Sequence, residues 1–388
     1  MKMTFSEKMK NFTTSAFNVL NEKKLERQQK GLPVYNFSIG TPDFKPEPHI
    51  MQALSQAALD AENYKYAIVD REETFSAVQH WYRSRYGVSL EKREIMSVYG
   101  SQEGISRIFL PLCNPGDIVL IPNPGYPIFS IGPALCGATP VCYNLYKKNR
   151  FLIDFDDIPE ETARKARAIV VSYPANPVCT TADDDFYKRL IAFAEKYNVI
   201  VIHDNAYSDI IFDGRIGKSF LSFPGAKEVG VEINSLSKSY NLTGVRVSFV
   251  VGNPDIVRQF KILRSQVDYG MFLPVQKLAV AALTGPQESV GRNRAEYQKR
   301  RDALCKGLRS VGMDMEDSEG TMFAWGKIPA KYESSEKFTL DLLEKTGVIG
   351  VPGSFFGSLG EGYIRFALVL PVPVIEEAVD LIRKTRIF

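Results

Sequence analysis

Between two apolar runs, residues 235–246 read Ser-Leu-Ser-Lys-Ser-Tyr-Asn-Leu-Thr-Gly-Val-Arg. A lysine just after a strand is most often a solvated surface group. Lys238, however, stands among hydroxyls, a glycine and an arginine, and an amine so placed can form a Schiff base with a carbonyl cofactor. Ser235, Ser237 and the planar fork of Arg246 together suit a phosphate. Gly100-Ser101-Gln102 lies between an expected strand and an expected helix, where free N–H groups receive anions. Arg365, inside the otherwise apolar Tyr363–Leu368, needs a buried partner anion, a role that an Asp or Glu of the chain could fill. Asp204 closes Val199–His203 and, taken alone, reads as a strand-end residue that starts a turn. Strand alternation turns His203 to the opposite face, as packing or support.

These residues need strands to present them. Val34–Ile39 reads as a strand ended by the turn Gly40–Asp43, within a Pro-punctuated stretch over residues 11–49. Helices are expected over 47–59 and Glu72–Tyr86, the latter with Phe75, Val78, Tyr82 and Tyr86 spaced at three or four. An alternating series follows, with strands at Ile95–Tyr99, Ile118–Ile121, Thr139–Asn144, Ala168–Ser172, Val199–His203, Val231–Leu236 and Val245–Val251. Helices punctuate it, one to Leu112 and one over Asp183–Tyr197. Such alternation means an α/β fold with a mostly parallel sheet covered on both faces, and ligands beyond the strands' carboxyl ends. Pro254–Leu283 is largely helical, and Ser289–Val311 is a charged helix with a solvated face. Strands at Phe323–Lys327 and Tyr363–Leu368, with helices at Lys337–Thr346 and from Val374, make a second, α+β unit. The division expected is 1–49 with the small domain, 50–284 as the large domain and 285–388 as the small one.

Composition narrows the classes. With 388 residues, 45% apolar and 24% charged, the chain can bury a large core. A net charge of +3 from 48 basic and 45 acidic residues disfavours nucleic-acid binding. Five cysteines without a Cys-x-x-Cys, and three histidines, give no zinc spacing and suggest buried, reduced thiols in the cytoplasm. Met1–Thr14 lacks an apolar leader, and no run of about 18 apolar residues would span a membrane.

The 235–246 stretch resembles the phosphopyridoxal-lysine signature of class I/II aminotransferases, fold type I enzymes dependent on pyridoxal 5′-phosphate. Further motifs of that family appear in order from Gly40 to Arg365. The wording of His203–Asp209 and 235–246 is closest to the LL-diaminopimelate and aspartate aminotransferase branch. The resemblance implies an aminotransferase that moves an amino group between an amino acid and a 2-oxo acid through a pyridoxal phosphate aldimine on Lys238. The freed lysine would carry a proton between the substrate α-carbon and C4′ of the cofactor. Asp204 would pair with the pyridine nitrogen. Tyr207 and Asn176, in Ser172–Pro177, would bond the phenolic oxygen, and Tyr126, in Asn123–Pro127, would stack on the ring. Gly100, Ser101 and Gln102 would join Ser235, Ser237 and Arg246 around the phosphate. Arg365 would clamp the α-carboxylate, with Asn176 and the backbone at Gly40 beside it.

Tyr66 matches a tyrosine that reaches the neighbouring subunit's phosphate, which implies a homodimer with shared sites. A glycine usual five residues later is here Arg71, so the loop must differ, and Tyr64 is the alternative. Cis bonds are expected at Asn176-Pro177 and Asn123-Pro124. Two other readings compete: a C–S lyase acting by β-elimination on the same fold, and a non-catalytic regulatory relative. Retention of Lys238 and Asp204, and the lack of any helical extension expected before residue 30, weigh against the second.

Overall fold

The computed structural model describes residues 3–12 and 15–388, so residues 1, 2, 13 and 14 of the N-terminal stretch lie outside the described residues. Strands form where the β-branched runs fall. β1 (Tyr35–Asn36) is a short outlier. β2 (Ile95–Val98), β3 (Ile118–Asn123), β4 (Thr139–Asn144), β5 (Ala166–Ser172), β6 (Ile200–Asn205), β7 (Gly230–Ser235) and β8 (Ser248–Gly252) build one sheet. Its order is β2-β8-β7-β6-β5-β3-β4. All neighbours are parallel except at β8, which runs antiparallel to both β2 and β7.

Alternation decides what each face buries. In β5 and β6, Val170 and Ile202 pack with Ile105, Phe109, Phe129 and Phe260 of the helices on one side. Ile169, Val171 and Val201 face the other side, against Leu190 and Phe193 of helix Asp184–Tyr197 and Tyr82 of helix Glu72–Tyr86. Apolar cover on both faces explains why these strands read as continuous apolar runs.

The rest of the chain adds β9 (Asp314–Met315), β10 (Phe323–Lys327), β11 (Val348–Ile349), β12 (Val351–Pro352) and β13 (Tyr363–Ala367). Four of these form an antiparallel sheet in the order β12-β13-β10-β9, while β11 pairs in parallel with β1. The N-terminal segment is thereby bonded to the last third of the chain.

Two expectations need correction. A helix spans Ser15–Gln29 where only short, Pro-punctuated chain was expected. Its sequence shows no apolar stripe, but Leu20 packs on Leu343 and Ile349, and Arg27 donates to the carbonyls of Pro33 and Glu344. Tertiary contacts, not periodicity, hold it. Nor are all the cysteines buried: Cys142 is exposed, though all five are unpaired. No helix among the described residues is long and apolar enough to cross a membrane.

His203 shares the face of Val201 and lies in the core, where its Nδ1 is 3.1 Å from Glu232 Oε2. Glu232, fully buried, also accepts from Tyr82 Oη at 2.8 Å, the Phe220 N–H at 2.8 Å and Ser219 Oγ at 3.0 Å. Replacing it by Ala leaves these donors without an acceptor. Glu232→Ala should lower the free energy of urea unfolding by about 3–5 kcal/mol, the cost of breaking a buried charged network. A loss below about 1 kcal/mol, the typical surface range, would show that this network carries no weight.

Candidate active site

The parallel strands end together. Register pairs Ser172 of β5 with Asp204 of β6, and Asp204 with Ile233 of β7. Asp204, the turn after β5 and the turn after β7 therefore meet at one edge of the sheet. Antiparallel β8 brings the fourth part. Its register sets Val98 opposite Ser248, so Gly100 and Arg246, each two residues outside that pair, come together. They are so close that a Cβ on Gly100 would run into the Arg246 guanidinium. Gly100 also sits at φ 87°, ψ 156°, a conformation other residues rarely take.

A cavity of about 440 Å³ opens there. Gly40, Ser101, Gln102, Tyr126, Asn176, Asp204, Tyr207, Ser235, Ser237, Lys238, Arg246 and Arg365 line it, and Gly100 is at its wall under Arg246. Tyr66 is not among them. It is 82% exposed, its ring 5.4 Å from that of Tyr269. Tyr64 turns its hydroxyl back to the Ala58 carbonyl at 2.8 Å. Arg71 has an ordinary extended backbone, φ −67° and ψ 151°, and its guanidinium donates to Asn63 Oδ1 at 2.7 Å, so the position makes no demand for glycine.

Lys238 sits in the single helical turn Leu236–Ser239, capped by Ser235 Oγ, which accepts the Ser237 N–H at 3.2 Å. Its Nζ donates to the Gly40 carbonyl at 2.6 Å. Burial, then the positive charges of Arg365 and Arg246, bring its pKa down to about 8. Asp204 is 7% exposed and its Oδ1 has no hydrogen-bond partner among the described residues. Burial raises its carboxyl to about 7, partly offset by His203. Burial likewise raises the Tyr207 and Tyr126 phenols.

Arg365 is stranger still. It is 6% exposed and lies over the rings of Phe323 and Phe356, 4.0 and 4.8 Å from their centroids. Nη1 donates to Asn176 Oδ1 at 2.8 Å and Nη2 to the Ser38 carbonyl at 3.3 Å. Among the described residues Nε has no partner, and no carboxylate pairs with the guanidinium. Burial pulls its pKa down to about 10. The reading that an Asp or Glu of the chain neutralises it is set aside.

Both expected cis bonds are present, with a third at Tyr173-Pro174 that the sequence reading did not include. It also missed Thr41, Ala206, Thr243, Gly244 and Phe323 in the cavity wall. Thr41, Ala206, Thr243 and Gly244 lie inside stretches already singled out. Phe323 had no local signal. It reaches the site because β10 pairs with β13, setting Trp325 opposite Arg365 and Phe323 opposite Ala367.

The donor set fits pyridoxal phosphate. A bare carboxylate oxygen at Asp204 suits a pyridinium N–H. The Gly100–Arg246 cradle with Ser101 and Ser237 suits a phosphate, and Lys238 faces the same space.

Fold and site together define a fold type I transferase. A substrate-bound BacF structure from Bacillus subtilis superposes with a TM-score of 0.94 at 33% identity, covering 100% of this chain and 98% of that one. A probable N-succinyldiaminopimelate aminotransferase from Thermus thermophilus gives 0.90 at 32%, over 95% and 100%. Residues 33–382 match the family of class I and II aminotransferases. LL-diaminopimelate aminotransferase of Moorella thermoacetica is 40% identical over 94% of both chains, and that of Halothermothrix orenii 38% over 99% of both. The chain belongs to the class I and II aminotransferases, pyridoxal-phosphate enzymes that exchange an amino group between an amino acid and a 2-oxo acid.

The raised Asp204 carboxyl has a consequence for the cofactor-free protein. Between about pH 4 and about 7 the unfolded chain releases a proton that the folded one keeps, so stability falls as pH rises through that window. Above it, an unpaired buried anion remains. Cofactor-free Asp204→Asn should be more stable than the parent at pH 8, by ~2–4 kcal/mol, and no more stable at pH 4. Urea unfolding at both pH values measures this, and equal stability at pH 8 would contradict the burial argument.

Proposed function

We propose that the cavity lined by Lys238, Asp204 and Arg365 is the site of amino transfer, and that the substrate's α-carboxylate seats on Arg365. The observation that carries this reading is the buried guanidinium with an orphan Nε and no acid of its own among the described residues. A substrate carboxylate completes it by a charge-assisted, forked pair. Asn176 Oδ1 holds Nη1 and so aims the fork.

Pyridoxal phosphate, when bound, supplies an electron sink for charge developing at the substrate α-carbon. Asp204 would hold a positive charge on the ring nitrogen, which a carboxylate can do and an amide cannot. Tyr126 would cover the ring, and Tyr207 and Asn176 would donate to its phenolic oxygen. Gly100, Ser101, Gln102, Ser235, Ser237 and Arg246 would hold the phosphate. Lys238 is the residue that would carry the cofactor and later act as base. A pKa near 8 leaves a useful fraction of neutral amine near neutral pH, and Nζ can then take the α-proton. The apolar walls supplied by Phe323 and Phe356 keep water from the guanidinium.

The substrate proposal rests on similarity: relatives named LL-diaminopimelate aminotransferase match nearly the whole chain, which makes LL-diaminopimelate with 2-oxoglutarate the first pair to assay. A panel of amino donors against 2-oxoglutarate and pyruvate should give that pair the highest kcat/KM. Lys238→Ala should cut turnover by roughly a thousandfold or more, the scale of a lost proton-transfer group. Pyruvate released with no oxo acid added would instead point to elimination, and near-normal turnover by Lys238→Ala would remove the mechanism.

We also propose a two-fold homodimer in the cytoplasm, with a large domain over 50–284 and a small one made of 1–49 and 285–388. Unpaired thiols agree with a reducing compartment. Tyr66, Ile68, Val69 and Tyr269 are exposed apolar residues that lie together just before helix Glu72–Tyr86, the kind of patch an isologous contact covers. The Tyr66 hydroxyl, on a side chain that stands out from its own subunit, would reach the partner's phosphate. Tyr66→Phe should weaken pyridoxal phosphate binding by about 1.5–3 kcal/mol, one hydrogen bond to a charged group, without dissociating the dimer. Titration of the cofactor and sedimentation measure both; unchanged affinity would remove Tyr66 from the site, and a fully active monomer would remove the dimer as well.

A further inference from the structure

Residues 37–47 form no regular helix or strand, yet this strap touches both working side chains of the cavity through its backbone. The Ser38 carbonyl accepts from Arg365 Nη2 at 3.3 Å, and the Gly40 carbonyl accepts from Lys238 Nζ at 2.6 Å. Gly40 is pressed against Phe323, where an added Cβ would come within 2.7 Å of the ring. Two carbonyls two residues apart thus set the directions of the carboxylate fork and of the amine. Beyond Phe37, whose N–H still bonds the Ile349 carbonyl at 2.8 Å, the strap makes no ladder, and its carbonyls are only as well placed as whatever pins them.

At its start the strap is pinned by a backbone bond from the Ala367 N–H to the Phe37 carbonyl at 2.7 Å. Beyond Gly40, Asn241 Nδ2 donates to the Lys45 carbonyl at 3.3 Å and Arg292 pairs with Glu47 at 2.8 Å, while the grip nearest Gly40 is that of Arg300. Its Nη1 and Nη2 grip Asp43 Oδ1 and Oδ2 at 2.7 and 2.9 Å, a two-pronged pair. Nη1 also donates to the Leu368 carbonyl at 3.1 Å, just past β13, the strand that carries Arg365. The guanidinium lies 4.7 Å from the centroid of the Phe44 ring and is only 4% exposed. One buried side chain therefore joins the strap to the strand of Arg365 and holds the acid three residues after Gly40.

We propose that Arg300 and Asp43 are positioning residues for substrate: their pair fixes the strap so that the Ser38 carbonyl aims Arg365 at an incoming α-carboxylate. This rests on the reading of Arg365 as the seat of the carboxylate. Neither residue lies on the wall of the cavity. A loosened strap should therefore weaken the grip on substrate while leaving the phosphate cradle intact.

The test uses the cofactor-loaded protein and 2-aminoisobutyrate, which has an α-carboxylate and an amine but no α-hydrogen, with binding followed by the change in the cofactor's absorbance. Asp43→Asn should bind this probe about tenfold more weakly, the low end of what a misaligned charged hydrogen bond costs, and KM for the donor should rise in step. kcat should stay within about threefold, since the loss is in substrate binding. Affinity for pyridoxal phosphate should not change. Arg300→Lys keeps charge and most of the bulk but cannot fork onto Asp43, and it should behave alike; thermal melting confirms that each variant is folded. Parent-like probe binding in both variants would overturn the proposal, as would an equal loss of cofactor affinity, which marks a merely structural pair. Arg365→Gln is run beside them. If it binds the probe as the parent does, the carboxylate site itself is wrong; if it loses the probe while the Asp43 and Arg300 variants do not, only the positioning role fails.

Discussion

Arg365 is buried against Phe323 and Phe356, bound to neutral oxygens and with no carboxylate paired to it among the described residues. A guanidinium out of water is expensive, and proteins ordinarily pair it. Here the chain surrounds it with apolar rings, one amide and one backbone carbonyl, and no acid among the described residues balances its charge. Several elements build these surroundings. β13 supplies the arginine, β10 supplies Phe323 from the facing strand, and the turn after β5 supplies Asn176.

Asp204 is the complementary case at the edge of the large sheet. It too is buried without a partner for one oxygen, in a region where its neighbours are apolar strands. Two uncompensated groups of opposite sign therefore face one cavity, and Lys238, its pKa lowered, lines the same cavity. Each one taken alone destabilises the folded chain. In the proposed reading a zwitterionic substrate and a cationic ring would balance them, and perturbed groups of this kind gather at functional sites. The buried Glu232, by contrast, has all its donors in place and sits on the opposite face from Asp204, where it serves the core.

Much of this was legible in the residues. Lys238, Ser235, Ser237 and Arg246 fall within twelve residues, and Asp204 ends an unmistakable apolar strand, so local pattern was enough to point to them. Cavity-lining Asn176, Tyr126 and Gly40 were reachable because each sits in a turn with a recognisable spelling. What stayed hidden depended on pairing across the sequence. Phe323 enters the site through the β10–β13 register. Arg300 reaches the strap from helix Glu288–Ser310, 257 positions away from Asp43. The Ser15–Gln29 helix has no apolar stripe to announce it, and the reversal of β8, which brings Arg246 to Gly100, leaves no mark in composition. Strand ends drifted for a related reason: β6 runs on through His203 to Asn205, because neighbours extend the ladder beyond the last apolar residue.

The central claim is that one lysine, Lys238, carries the cofactor in the cavity that Asp204 and Arg365 also line. Borohydride reduction of the pyridoxal-phosphate-loaded protein, followed by proteolysis and mass mapping of the modified peptide, tests it directly. The account predicts a single stable phosphopyridoxyl adduct on Lys238, formed in proportion to bound cofactor. An unmodified Lys238, with the adduct on another lysine or on none, would contradict it.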